Sequence, residues 1–322
     1  MKKALIPALF AVMATCGVVY ADSVSTTPVG YFTATIPGNG AQTALSVSLL
    51  NPTEYTGIST AVTSSTVTVS DAEWTENQWA GYLVALENSA GAEEYFLVTA
   101  NTTDTLTISS TFDLTARYDA ASNLTLSQPH TIGSLFGATS SDVALTQGSI
   151  STADWIYVWN GTSFSIYYFN KTSWQKVGSS GAANDDILYP DEGVFVMRRS
   201  STELTLTFTG TVPSKPQVTT VPGNSTTIVA TRFPVDMSLD GMGIQDLTNW
   251  KTGSYSNADR VYSWNGSKYV VYYHNGTNWL QLGSSGSADD ATISANSFLF
   301  ITRSSSADAS AAGMTTVLPY TL

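Results

Sequence analysis

The sequence predicts an all-β protein: two tandem β-sandwich-like modules, duplicated, the first interrupted by a small inserted β-barrel. Three observations predict it. Residues 153–181, ADWIYVWNGTSFSIYYFNKTSWQKVGSSG, return as residues 258–286, ADRVYSWNGSKYVVYYHNGTNWLQLGSSG, with 15 of 29 positions identical and no gap. Within both copies apolar residues alternate with a period of two between Asn-Gly dipeptides, the mark of pleated strands and hairpin turns. Upstream, Ile36-Pro37-Gly38-Asn39 is echoed by Val221-Pro222-Gly223-Asn224 at a spacing of 185 instead of 105, so the first copy carries 80 extra residues.

The N-terminus reads as an export signal. Lys2 and Lys3 precede an uncharged apolar run over residues 4–19, and Val19-Tyr20-Ala21 has the small-x-small form of a signal-peptidase site, with cleavage expected after Ala21. The run is shorter than the about 20 residues that span a bilayer, and nothing downstream approaches that length, so no membrane span is expected. Met13-Ala14-Thr15-Cys16 resembles a lipidation site, but threonine is a poor residue before the modified cysteine. Cys16 is the single cysteine, which leaves the mature chain without disulfide, thiolate metal site or cysteine nucleophile.

The first module takes residues 22–58 and 130–213, the insert residues 59–129, and the second module residues 214–322. In the insert, residues 67–70, 81–86, 95–99, 105–109 and 124–127 read as five short strands, a number and spacing that suit a small barrel. In the first module Trp155, Tyr157 and Trp159 point one way and Ile156 and Val158 the other. Asn160-Gly161 then turns the chain into a return strand over 164–169, and Asn265-Gly266 does the same before 269–274. A second turn, Asn275-Gly276, has Lys171 in place of its glycine in the first copy, so a different loop is expected there. Beyond the Gly-Ser-Ser-Gly loops the match resumes at a spacing of 104, with residues 193–200 opposite 297–304 and the pair Asp185-Asp186 opposite Asp289-Asp290. A further strand is expected over 204–208, and the one helical signal is a single turn over 246–250.

Several of these motifs carry a resemblance. Pro222-Gly223-Asn224, Phe233-Pro234-Val235-Asp236, Ala258-Asp259, Trp264-Asn265-Gly266, Tyr272-Tyr273, Trp279 and Arg303 look like an uncharacterised family of secreted bacterial β-proteins of the verrucomicrobial type, often present as several paralogues. Within the first copy, Trp74-Thr75-Glu76-Asn77-Gln78 and the stretch from His130 to Phe136 resemble that family's inserted segment and its exit. The resemblance implies export and a β-rich fold, and brings no established activity.

Composition narrows function. Charged residues make up 12% of the chain, and removing the leader's two lysines takes the net charge from −12 to −14. So acidic a surface repels phosphate backbones and anionic lipids, which disfavours nucleic-acid partners and membrane-surface roles, and neither is expected. Tyr157, Trp159, Tyr262 and Trp264 are the candidate ligand-binding residues, since aromatic faces can stack on sugar rings; the competing reading is cross-strand packing and core. Asp185, Asp186, Asp191 and Glu192 offer hard oxygen ligands for calcium, but their spacing fits no known loop and a solvated turn explains them as well. No cofactor is expected. His130 and His274 are the only histidines, in non-equivalent places, so a serine triad has few bases to draw on. Carboxyl separation cannot be read from sequence, which leaves a glycosidase-type pair open. Asn-x-Ser/Thr triplets at Asn101, Asn123, Asn160, Asn170, Asn224, Asn265 and Asn275 fall at expected turns and read as turn asparagines rather than glycan acceptors. The expectation is an exported, non-enzymatic structural or adhesive protein of the outer cell surface, matrix or medium, with the periplasm also open. The alternatives are polysaccharide binding through the repeated aromatic hairpins and self-assembly into filaments or layers, so the expected partners are extracellular polysaccharide or copies of the chain.

Overall fold

The computed structural model describes residues 27–304 and 311–321, and the regular structure among them is almost wholly β-strand. The expected leader and its cleavage site lie outside the described residues. No helix among the described residues is long and apolar enough to cross a membrane.

Each module is organised around a five-stranded antiparallel sheet. In the first the order is Trp174–Lys176, Phe164–Phe169, Trp155–Trp159, Val194–Met197, Gln42–Leu45. In the second it is Trp279–Gln281, Tyr269–His274, Arg260–Trp264, Phe298–Thr302, Thr226–Ala230. Under each sheet lies a two-stranded ribbon: Val29–Ile36 with Leu204–Thr211 in the first, Gln217–Pro222 with Ala311–Thr316 in the second. The alternation read at 155–159 is the reason. Ile156 points down and is fully buried against Trp174, Val196, Ile36 and Phe208, while its neighbours Tyr157 and Trp159 face the other way. Val261, Trp279 and Ile301 repeat this beneath the second sheet, with Val221 and Met314 from its ribbon. Trp174 and Trp279 are completely shielded from water, and an indole of that kind removes on the order of 150–250 Å² from solvent.

The register corrects the alignment of the two similar stretches. Tyr157 pairs with Phe195 and Tyr262 with Phe300, so the spacing of 105 holds through this strand and the expected shift to 104 is absent. The two acidic pairs are therefore not equivalent. Asn184 accepts the backbone N–H of Trp174 at 2.9 Å, and Asp289 does the same for Trp279 at 2.6 Å. The capping position tolerates amide or carboxylate because an acceptor oxygen is all it needs.

The hairpin turns also differ from expectation. Trp159 pairs with Phe164, leaving a four-residue loop in which Asn160 Oδ1 accepts the N–H groups of Thr162 and Ser163 at 3.0 and 2.8 Å. The loop at Asn170 is closed in the same way, by Thr172 and Ser173 at 2.9 and 3.0 Å, and Lys171 adopts φ +83° where Gly276 has +106°. Lysine has thus been forced into glycine's geometry rather than changing the loop. A left-handed conformation costs a side-chain-bearing residue about 1–2 kcal/mol. Lys171→Gly is therefore expected to stabilise the protein by about 1 kcal/mol, offset in part by glycine's greater freedom when unfolded. The midpoint of urea unfolding should rise; an unchanged or lower midpoint would mean that the loop carries no strain.

The insert is not the small barrel that the sequence predicts. Its strands follow the path Thr53–Ile58, Asn123–Ser127, Leu83–Glu87, Glu93–Asn101, Thr105–Ser109, Thr66–Thr68, Ala61–Val62, and no ladder joins the two end strands. Those ends are consecutive in the chain. Ser59 N–H donates to Ser122 at 2.9 Å and Thr60 N–H to Thr68 at 2.7 Å, so one bent segment serves both edges and the sheet curls without hydrogen-bonded closure. Thr53–Ile58 belongs to this sheet, which therefore begins ahead of the expected limit at residue 59. A single parallel bridge from Glu93 to Gln217 joins it to the second module's ribbon.

Helix is scarce. Ile132–Phe136 forms where the chain leaves the insert, started by a capping box in which Thr131 and Ser134 bond each other's backbone. Short 3₁₀ turns occupy Asp240–Met242 and Ile244–Asp246, just ahead of the turn expected over 246–250.

Candidate functional site

The outward faces of the two five-stranded sheets meet each other. The contact repeats in both directions: Trp159 meets the Phe300 ring at 5.6 Å, and Trp264 meets Phe195 at 5.6 Å. Each indole also reaches the edge strand of the opposite sheet, Trp159 Nε1 donating to Thr226 O at 3.4 Å and Trp264 Nε1 to Gln42 O at 3.1 Å. All four candidate ligand-binding residues, Tyr157, Trp159, Tyr262 and Trp264, lie half-buried in this seam. Edge-to-face packing dominates it, the arrangement that ring quadrupoles favour.

Within the seam Phe298 packs on Phe195 at 4.9 Å, and on the first sheet the Tyr157 hydroxyl meets Met197 Sδ at 3.7 Å. Along the seam Trp159, Phe164, Tyr262, Tyr269 and Phe300, with Thr226 and Thr302, line an open groove of about 310 Å³. The two threonine hydroxyls lie 3.0 Å apart. Tyr269, 40% exposed, is the most accessible of these rings. Phe164, Tyr269 and Phe300 were not singled out from sequence, although the first two sit opposite the marked tryptophans in the hairpin registers Trp159–Phe164 and Trp264–Tyr269.

A second cavity, of about 530 Å³, opens where the insert and both modules come together. Glu94 and Thr111 come from the insert, Trp159, Asp191 and Glu192 from the first module, and Thr226 from the second. The acids differ in state. Glu94 is saturated: it accepts from Arg117 Nη1 at 2.7 and 3.0 Å, from the Tyr118 hydroxyl at 2.7 Å, and from Thr220, fastening the insert to the second module's ribbon. Burial raises the Asp191 carboxyl above its ordinary value, against the pull of Arg232. Burial, then the Asp191 charge, pushes Glu192 up to about 8, so it carries its proton at neutral pH.

The calcium candidates do not converge. Asp185 is exposed, Asp186 accepts the Tyr167 hydroxyl at 2.8 Å, and Asp191 faces the cleft; among the described residues no three His, Cys, Asp or Glu side chains are grouped to hold a metal ion. The histidines are both buried and structural in their contacts. His130 Nε2 lies 2.8 Å from Leu49 O, and burial lowers its pKa. His274 packs against Trp279 at 5.3 Å much as Phe169 packs against Trp174 at 5.5 Å, and its Nδ1 accepts the Gly276 N–H. Compared with protein-family models, curated proteins and solved structures, the chain matches none.

Proposed function

We propose that the chain is an exported, non-catalytic adhesive protein of the cell surface or extracellular matrix, and that it holds a neutral polysaccharide in the aromatic groove between its sheets. The observation that carries this reading is the open groove itself, in which rings from both hairpins converge on one concave surface. Aromatic faces accept the apolar C–H face of a pyranose, and the lining of the groove is almost wholly apolar. No lysine or arginine lines the groove and the chain is strongly acidic, which disfavours uronate and sulfated polymers.

A glycan array that includes neutral and acidic polymers tests it. Tyr269→Ala truncates the most exposed ring and should weaken binding of a neutral glycan at least about tenfold in a protein that still unfolds cooperatively; tenfold is about 1.4 kcal/mol, within reach of one stacked ring. Binding confined to acidic glycans, or binding that survives loss of the ring, would end this reading.

Self-assembly is a second reading with its own observation. The strand Val29–Ile36 pairs only with Leu204–Thr211 among the described residues, and Val29 and Tyr31 are 76% and 75% exposed on it. An uncharged open edge is a template for another strand. Electron microscopy of the purified protein separates the two readings.

A further inference from the structure

We infer that the aromatic groove and the junction cleft form one continuous glycan site, with the cleft holding the sugar units beyond those stacked in the groove. The inference rests on the groove reading above and adds to it the length and chemistry of the ligand. Trp159 and Thr226 line both cavities, so the indole is a shared wall rather than a boundary between unrelated hollows. The groove, at about 310 Å³, is at the small end of ligand sites, which run from about 300 to 1,000 Å³, whereas the cleft adds about 530 Å³.

The cleft continues the chemistry of the groove and adds polar groups to it. Rings dominate the groove. The cleft wall has rings too, among them Tyr95, Phe96, Phe112 and Tyr189, and beside them Ser110, Thr111, Asn160 and the carboxyls of Asp191 and Glu192. Carboxylates and hydroxyls are the side chains that bond the edges of a sugar ring, and a protonated Glu192 both donates and accepts. As in the groove, no lysine or arginine is among the lining residues, so the cleft also fits a hydroxyl-rich neutral chain.

The test uses the whole mature protein and titration calorimetry with neutral β-1,4-linked gluco- and chito-oligosaccharides, from disaccharide to hexasaccharide. The wild type should bind the hexasaccharide at least about tenfold more tightly than the disaccharide, more than a statistical gain from repeated units. Thr111→Trp fills the cleft from an exposed position on the insert and should abolish that gain while leaving disaccharide affinity within about twofold. Tyr269→Ala should instead weaken every length. A wild type without length dependence, or a Thr111→Trp variant that retains it, overturns the continuous site while the groove reading stands. Failure of every oligosaccharide to bind overturns both.

Discussion

Replacing Asp154 with alanine is expected to remove about 3–5 kcal/mol of folding stability, the loss that follows when one partner of a buried ion pair is deleted. Asp154 has 1% of its surface exposed and accepts three hydrogen bonds: Thr146 N–H at 2.7 Å, Arg199 N–H at 2.7 Å and Arg198 Nη1 at 3.1 Å. Alanine would orphan two backbone donors and leave a guanidinium buried without its counter-charge. Because most of the loss is that stranded charge, Asp154→Ala combined with Arg198→Met should be less damaging than Asp154→Ala alone. Urea unfolding of the two variants measures it. A single substitution that costs under about 1 kcal/mol, or a pair that costs more than the single, would show that the carboxylate is not what orders this corner.

The second module repeats the device with looser electrostatics. Asp259 accepts Lys251 N–H at 3.0 Å and both the N–H and hydroxyl of Ser304 at 2.7 and 2.8 Å, but Arg303 Nε stands 3.7 Å away, beyond hydrogen-bond reach. Arg303 is held instead by Val221 O at 3.1 Å and Thr248 O at 2.7 Å. Both aspartates fasten the loop before the central aromatic strand to the segment after its partner strand. Ala153-Asp154 and Ala258-Asp259 recur in the sequence for that reason: the position is a backbone clamp, and the arginine completes its charge.

How much of this was legible follows from how local each feature is. The two-residue alternation at 155–159 is a property of one strand, and it assigned Ile156 and Tyr157 to opposite faces correctly. The turn asparagines were legible for the same reason, though not their loop length, because Asn160 closes its loop with side-chain bonds that a dipeptide rule does not count. The capping box at Thr131 was hidden because serine, not glutamate or glutamine, stands at its third position. The partner of the aromatic face is non-local, and one slipped residue concealed it. A spacing of 104 sets Phe195 against Leu299, a core residue of the second module, whereas the true register sets it against Phe300, its counterpart in the seam. The cleft lay furthest out of reach. Glu94, Asp191 and Thr226 are brought together only when the curled insert docks across both modules, and nothing in their neighbouring residues signals it.

Gly193→Ala is expected to open the seam between the modules. Gly193 is buried beside Phe298 of the opposite sheet, and a Cβ there would lie 2.2 Å from the ring's Cδ1, 2.4 Å from its Cγ and 2.7 Å from its Cβ. These are atoms near the backbone, so a simple rotation of the ring does not relieve the collision. Phe298 is also boxed in, with Phe195 at 4.9 Å and Phe300 at 5.6 Å, so the strand Phe298–Thr302 itself must shift. Overpacking of a filled core costs typically about 1–3 kcal/mol, and this contact belongs at the upper end of that range. Phe298→Ala alone leaves a cavity and should cost about 3–5 kcal/mol, yet the double variant should lose clearly less than the sum, because alanine at 193 then occupies part of the vacated space. Since Trp159 and Trp264 each reach across the same seam, to Phe300 and Phe195, Gly193→Ala should also shift tryptophan emission to longer wavelength before global unfolding. If the single variant melts like the wild type with unchanged emission, the two sheets do not press together at this glycine, and the aromatic groove beside it has no rigid frame.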